Sequence, residues 1–420
     1  MIIAVAICKI LYFIGKIVGR GSSLPGQIAL KICPGALGRL KLPETIIAVT
    51  GSNGKTSTVE LIARALEANG KSVGWNHEGA NQIEGVATLL LRMATPGGAV
   101  KRDALVLECD ERYTRFIFEA VKPSILVVTN LCRDQLTRNG HQEYIFDCIR
   151  EAVDKIGDVS LVLNADDPYV AALEAASAGG SVLWFGVSRD LSVAAFRGMY
   201  DDGAFCPVCK SRMEYEYRIA GHYGAYNCGA CGHSRKKPDI EMSSTRGISA
   251  AYNMAAAIAA ASAAGISAGD AAEALEGYEL KGGRTVRFSA GGRSGVLLIS
   301  KHENSLSYNL SMSWVVRQRK PCTVIVLVDS ISRKYYTSET SWLWDVDFDI
   351  LADDTVQSIV LAGRYSNELM TRFEMSSVDP GKCCVAGLDA LREKVGQCGA
   401  GDIYVLTCFA DKAKLLKVFE

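Results

Sequence analysis

Ile46-Ile47-Ala48-Val49-Thr50-Gly51-Ser52-Asn53-Gly54-Lys55-Thr56-Ser57-Thr58 is a short apolar run feeding a glycine-bearing turn, and the helical pattern Val59 to Leu66 follows directly. Strand, loop and helix in that order form a phosphate cradle. Glycines at 51 and 54 let successive backbone N–H groups converge on one anion, and the helix N-terminus adds its positive end. Lys55 supplies a mobile cation for the outer phosphates and Thr56 a hydroxyl for Mg²⁺. Gly51, Asn53, Gly54, Lys55, Thr56 and Ser57 are therefore the candidate nucleotide-binding residues. The spacing departs from the general phosphate-loop pattern, because Val49 stands where that pattern wants its first glycine.

Around this stretch lies a chain of 420 residues, long enough for two or three domains with substantial cores. Its 49% apolar and 22% charged composition is that of a globular protein, and Lys+Arg equals Asp+Glu at 46 each. Nothing in that balance asks for nucleic acid. Of the 14 cysteines, most fall singly in apolar stretches, as Cys109, Cys132, Cys148 and Cys408 do, and read as buried free thiols. Met1 to Val18 is apolar but interrupted by Lys9 and Lys16, so no run reaches the roughly eighteen residues of a membrane span. The positive charges fall inside the apolar stretch, which also argues against a signal peptide. The two lysines share one face of a helix, and an amphipathic helix packed on the protein is preferred over an interfacial membrane anchor.

After the loop, Asn76 to Asn81 is a polar turn, and Ala104 to Glu108 reads as a buried strand ending in carboxylates. Acids at the carboxyl end of a parallel strand lie where open α/β sheets bind ligand, so Glu108 is the second Mg²⁺ candidate. Asp110 and Glu111 read equally well as a solvated strand end. Further strands at 125–130, 160–164 and 182–186 alternate with helical segments, which implies a mostly parallel, helix-covered sheet.

Between about 200 and 240 the composition changes. Cys206-Pro207-Val208-Cys209 and Cys228-Gly229-Ala230-Cys231 stand eighteen residues apart. Two such knuckles present four thiolates around one structural Zn²⁺, with no open position for catalysis. His222 and His233 read as surface residues beside the ribbon. From Thr285 onward, strands near 296–299, 323–328, 358–362 and 402–407 form a second, Rossmann-like α/β unit. The expected divisions are a helical segment 1–42, a central domain 43–284 and a C-terminal domain 285–420.

Thr50-Gly51-Ser52-Asn53-Gly54-Lys55-Thr56 resembles the ATP loop of the Mur ligase family, and Asn164-Ala165-Asp166-Asp167-Pro168 resembles a second recurring family string. The Ser23-Leu24-Pro25-Gly26-Gln27-Ile28-Ala29 opening, Gln135 where most of the family has histidine, and the four-cysteine insertion are similar to the MurT branch of that family. The resemblance implies an ATP- and Mg²⁺-dependent ligase that amidates the D-glutamate α-carboxyl of the lipid II stem peptide. It further implies that Asn253 and Arg284 bind nucleotide and that a GatD-type glutaminase subunit supplies ammonia. Glu339-Thr340-Ser341-Trp342 replaces a family string that begins with aspartate. By the same resemblance Glu339 would complete the partner's catalytic set. Beside it, Trp342 and Trp344 read either as exposed aromatic anchors for a partner or as core residues of their own domain alternating inward on a strand. The chain has no G-x-C-x-G nucleophile of its own. Two alternatives stay open: a Mur-type ligase joining an amino acid, and a nucleotide-binding scaffold without catalysis. Lipid II would place the protein in the cytoplasm, at the inner face of the membrane.

Overall fold

The computed structural model describes residues 1–17, 22–76, 80–177, 179–194, 198–243, 247–280, 284–330, 340–399 and 401–419, with the side chains at 137, 138, 193 and 194 excepted. Its central strand is β1 (Thr45–Thr50), flanked in space by β3 (Ala104–Glu108) and β4 (Ile125–Val128), with β2 (Val73–Trp75) outside β3. β5 (Ser160–Asn164) and β6 (Val182–Val187) continue the other side; a hairpin of β7 (Glu214–Ala220) and β8 (Tyr223–Asn227) intervenes in sequence before the edge strand β9 (Ile240–Met242). The order is β2-β3-β1-β4-β5-β6-β9, and every pair is parallel. A parallel sheet is covered on both faces, which is why β1, β3 and β4 read as continuous apolar runs rather than alternating ones. Ile46 and Ala48 enter the core on one side, while Ile47 and Val49 enter the core on the other. The first of these cores holds α4 (Ile83–Met93) and the second α3 (Lys55–Ala68), α1 and α2 being the helices Ile2–Ile17 and Leu24–Ile32.

The chain leaves β1 toward β2 and β3 on one side and returns at β4 on the other, so β1 is the switch point of the sheet. The crevice beyond its carboxyl end is the place such sheets hold ligand. The second sheet contains β10 (Thr285–Ala290), β11 (Arg293–Ser300), β12 (Cys322–Leu327), β13 (Val356–Ala362), β14 (Cys383–Ala386) and β15 (Asp402–Cys408). Its order is β10-β11-β15-β12-β13-β14, parallel except for the β10–β11 hairpin. The sequence pattern missed β10 and β14. Both lie at the sheet's edges and lack the fully buried run that marked the inner strands.

α1 packs Ala4, Val5 and Cys8 into the core shared with α4, as expected of a helix seated on the protein. Its other face is also apolar and stays open to solvent. No helix among the described residues is long and apolar enough to cross a membrane.

Candidate active site and metal centre

The cradle follows from local chain chemistry. Gly54 is the N-cap of α3 with φ +83°, and Gly51 has φ +124°, conformations that L side chains rarely adopt. Space enforces the same choice: a Cβ on Gly51 would lie 2.4 Å from Thr129 Oγ1, and one on Gly54 would lie 2.2 Å from Asn253 Oδ1. The two residues that follow β4 fix the loop from the side. Asn53 N donates to Asn130 Oδ1 at 2.9 Å, Asn130 Nδ2 returns a bond to Asn53 O at 3.0 Å, and Thr129 Oγ1 donates to the same carbonyl at 2.7 Å.

Lys55 is buried and donates to the Gly51 carbonyl and, at 2.9 Å, to Glu111 Oε2. Burial works against the charged ammonium, but Glu111, Glu108 and Asp134 outweigh it and hold Lys55 above the ordinary lysine range. For Glu111, burial works upward, while Lys55 and Lys301 pull its carboxyl below the ordinary range. Both acids after β3 are thus interior: Asp110 and Glu111 are each 3% exposed, which settles the strand-end alternative against solvent.

Thr56 Oγ1 donates to Glu108 Oε2 at 2.8 Å. Asn81 Nδ2 donates to Glu108 Oε1 at 3.0 Å, and the Asn76 side chain pairs with both the N–H and the C=O of Glu108. The carboxylate is therefore aimed. Two oxygens 2.8 Å apart fit neighbouring corners of an octahedron with bonds of about 2.1 Å, whose edge is about 3 Å, so this pair suits Mg²⁺. His77, Glu78 and Gly79 lie outside the described residues.

The C-terminal unit closes over the loop. Lys301 Nζ donates to Ser52 O at 3.1 Å and to Asp134; Asn304 Nδ2 donates to Asp134 Oδ1 at 2.9 Å. Asn53 Nδ2 donates to Asn304 Oδ1 at 3.2 Å, which makes a loop residue part of the contact between the two units. Gln135 and Glu303, both with left-handed backbones at φ 47° and 50°, are joined by Gln135 N donating to Glu303 O at 2.9 Å. Arg284, immediately before β10, lies within electrostatic reach of Asp134 and Glu108. Asn253, on the helix Ile248–Ala263, sits against Gly54 and 3.5 Å from Thr58 Oγ1. Beside this junction a cavity of about 480 Å³ is lined by Arg133, Tyr200, Glu303, Trp344 and Asp345 among others.

Two expectations change. His222 is not a surface residue: it is 2% exposed, at the β7–β8 turn, with its ring centroid 4.4 Å from Tyr223 and Nε2 3.5 Å from Asp167. The two tryptophans divide between the alternatives: Trp342 is buried in the core of the second sheet beside Tyr308, whereas Trp344 is exposed. Ser341–Asp345 form a 3₁₀ turn, and with about three residues per turn the two tryptophans leave it on different sides. Glu339 lies outside the described residues.

The four ribbon cysteines converge. All four sulfur atoms lie within 4.8 Å of one another, with Cys206–Cys231 at 3.7 Å and Cys209–Cys228 at 3.5 Å. Zn–S bonds of about 2.3 Å imply tetrahedral edges of about 3.8 Å, so the spacing fits Zn²⁺; disulfides, at about 2.05 Å, do not fit. The two knuckles repeat one backbone plan. Lys210 N donates to Cys206 O and Gly232 N to Cys228 O, each at 2.9 Å, and the donors have φ +64° and +78°. Cys206, Met213, Tyr226 and Cys228 belong to the main core, so the ribbon is built into the domain.

A phosphate loop at the switch point of a parallel sheet, with a second α/β unit gripping the loop, defines a two-unit P-loop protein. The chain belongs to the Mur ligase family: the Mur ligase middle domain matches residues 49–234 and the MurT ligase C-terminal domain matches 302–410. It is 29% identical to the MurT subunit of lipid II isoglutaminyl synthase (glutamine-hydrolyzing) from Staphylococcus aureus strain N315, over 90% of this chain and 88% of that one. For the Streptococcus pneumoniae R6 protein of the same description the identity is 28%, over 87% and 84%. Among solved structures, the fold is similar to a pseudomurein peptide ligase type C from Methanothermus fervidus, with TM-score 0.68 and 18% identity over 91% of this chain and 79% of that one. It is also similar to the MurF ligase of Thermotoga maritima in complex with ADP, with TM-score 0.60 and 15% identity over 94% and 83%.

Proposed function

We propose that the protein is the ligase subunit of a lipid II isoglutaminyl synthase, acting in peptidoglycan synthesis. The observation that carries this reading is the joining of a phosphate cradle to a MurT-type C-terminal unit. The domain limits proposed with it are 42/43 and 284/285. ATP supplies the γ-phosphoryl group and Mg²⁺ neutralises its charge, with Thr56 and Glu108 as the residues to hold the ion. Gly51, Asn53, Gly54 and Ser57 form the cradle, and Arg284 and Asn253 are the further residues that would bind the nucleotide. Lys55 stabilises the charge that moves as the phosphoryl group leaves ADP for an oxygen of the D-glutamate α-carboxylate. Ammonia then attacks the acyl phosphate, forms the C–N bond of D-isoglutamine and displaces phosphate.

Ammonia comes from a GatD-type glutaminase in a heterodimer, with Glu339 orienting the partner's histidine. Purified complex should therefore consume ATP with either glutamine or ammonium salt as nitrogen donor. Glu339→Gln should lose the glutamine-driven reaction and keep the ammonium-driven one. Equal losses with both donors would remove Glu339 from that role, and turnover that requires an amino acid instead of ammonia would replace the amidation reading.

Zn²⁺ is proposed for Cys206, Cys209, Cys228 and Cys231, where it supplies a structural crosslink. Elemental analysis should find one Zn per chain. Cys206→Ser with Cys209→Ser should lose it and lower thermal stability, since Cys206 and Cys228 sit in the main core and the ion would tie the exposed Cys209 and Cys231 to them. Metal-free wild-type protein of unchanged stability would refute the assignment.

A further inference from the structure

The open face of α1 is unlike the rest of the surface. Of the eighteen large apolar residues exposed among the described residues, Ile2, Ile3, Ile10, Phe13, Ile14 and Ile17 lie on this one helix, with Phe13 71% and Ile17 77% exposed. At about 100° per residue these six fall within a sector of about 120°. Lys9 and Lys16 stand side by side along one margin of the sector, and both are exposed. Leu24 and Ile32 on the neighbouring α2 are exposed as well.

Charge is equally lopsided. Residues 1–43 contain Lys9, Lys16, Arg20, Lys31, Arg39 and Lys41, and no Asp or Glu, in a chain whose formal net charge is zero. We infer that α1 is an interfacial helix that seats the protein on an anionic lipid bilayer, its isoleucines and Phe13 entering the acyl boundary and its lysines meeting the headgroups. Sixteen residues interrupted by two lysines are too few to span the hydrocarbon, but they suit a helix lying in the interface plane. Long lysine stems at the rim of an apolar sector keep their ammonium groups at headgroup level.

A second copy of the chain fits this face less well. Packing one such segment on another would bring cations together with no acid from either segment to pair them. A bilayer bearing phosphatidylglycerol complements both properties at once. The attachment is firm on the protein side: Cys8 Sγ donates to Thr88 O at 3.8 Å, Arg92 Nη1 donates to Tyr12 OH at 2.6 Å, and the arginine stacks over the Tyr12 ring. Thr88 and Arg92 belong to α4, and Asn81, just before that helix, holds Glu108. α4 thus carries α1 on its side chains and is preceded by the residue that holds Glu108. The inference deepens the lipid-linked substrate reading but is tested without substrate, so an inactive ligase leaves it standing.

The test is co-sedimentation of the full chain with phosphatidylglycerol–phosphatidylcholine vesicles and with phosphatidylcholine alone. Wild type should bind the anionic vesicles and bind the neutral ones more weakly. Ile10→Ser with Phe13→Ser, both at exposed positions and therefore neutral to folding by circular dichroism, should weaken binding at least about tenfold. Lys9→Glu with Lys16→Glu should erase the preference for anionic lipid. No wild-type binding to either vesicle would overturn the proposal. So would unchanged binding of the serine variant. A wild-type dimer in light scattering that the serine substitutions convert to monomer, without vesicle binding, would assign the face to a second copy instead.

Discussion

Lys55→Ala should lower ATP turnover by at least about 10²–10³-fold, the scale seen when a preorganised charge-stabilising donor is removed from an active site. The ammonium sits at the start of α3, where the backbone N–H groups of the cradle and the helix end point to the same crevice. Removing it takes away the one loop cation able to follow charge onto the leaving oxygen. It also leaves Glu111 buried without its nearest counter-charge, so stability falls for a separate reason. A second variant separates the two effects. Lys55→Met with Glu111→Gln removes both charges and should recover much of the stability while remaining inactive. Turnover near wild type in either variant would remove Lys55 from the mechanism.

The loop was legible because its meaning is local: glycine, lysine and threonine spacing, an apolar run before and a helical pattern after lie within twenty residues of each other. Glu108 was legible for a related reason, since a strand's carboxyl end can be read from where its apolar run stops. The four cysteines declared themselves by spacing. What stayed hidden was pairing across long sequence separations. Nothing near Asp134 in the chain announces Asn304 or Lys301, which arrive only when the second sheet folds back over the loop. The Lys55–Glu111 contact likewise depends on β3 lying beside β1.

Two failures have more specific causes. His222 sits among polar and aromatic residues, so its neighbourhood reads as surface, yet the β7–β8 turn folds inward onto Tyr169 and Asp167. Sequence alone suggests one shared environment for Trp342 and Trp344. Residues two apart share a face on a strand, but on a 3₁₀ turn they diverge, so one is core and the other is surface.

Glu111→Gln should destabilise the nucleotide-free protein by about 3 kcal/mol at neutral pH, the lower end of the cost of breaking a buried ion pair from one side. The lower end applies because Glu108 and Asp134 still act on Lys55. The pH dependence follows from the direction of the Glu111 shift. Its folded carboxyl titrates below its ordinary value of 4.5, so its stabilisation is complete above that value and is lost as pH falls through the folded one. Urea denaturation should therefore show a gap between wild type and variant that is widest near neutrality and narrows in acid below 4.5. Nucleotide offers a second check. Phosphate oxygens entering the cradle give Lys55 a new counter-charge, so a non-hydrolysable ATP analogue should stabilise Glu111→Gln more than it stabilises wild type. Equal stability of the two proteins at neutral pH, or a gap that widens in acid, would show that Glu111 does not hold Lys55 before nucleotide arrives.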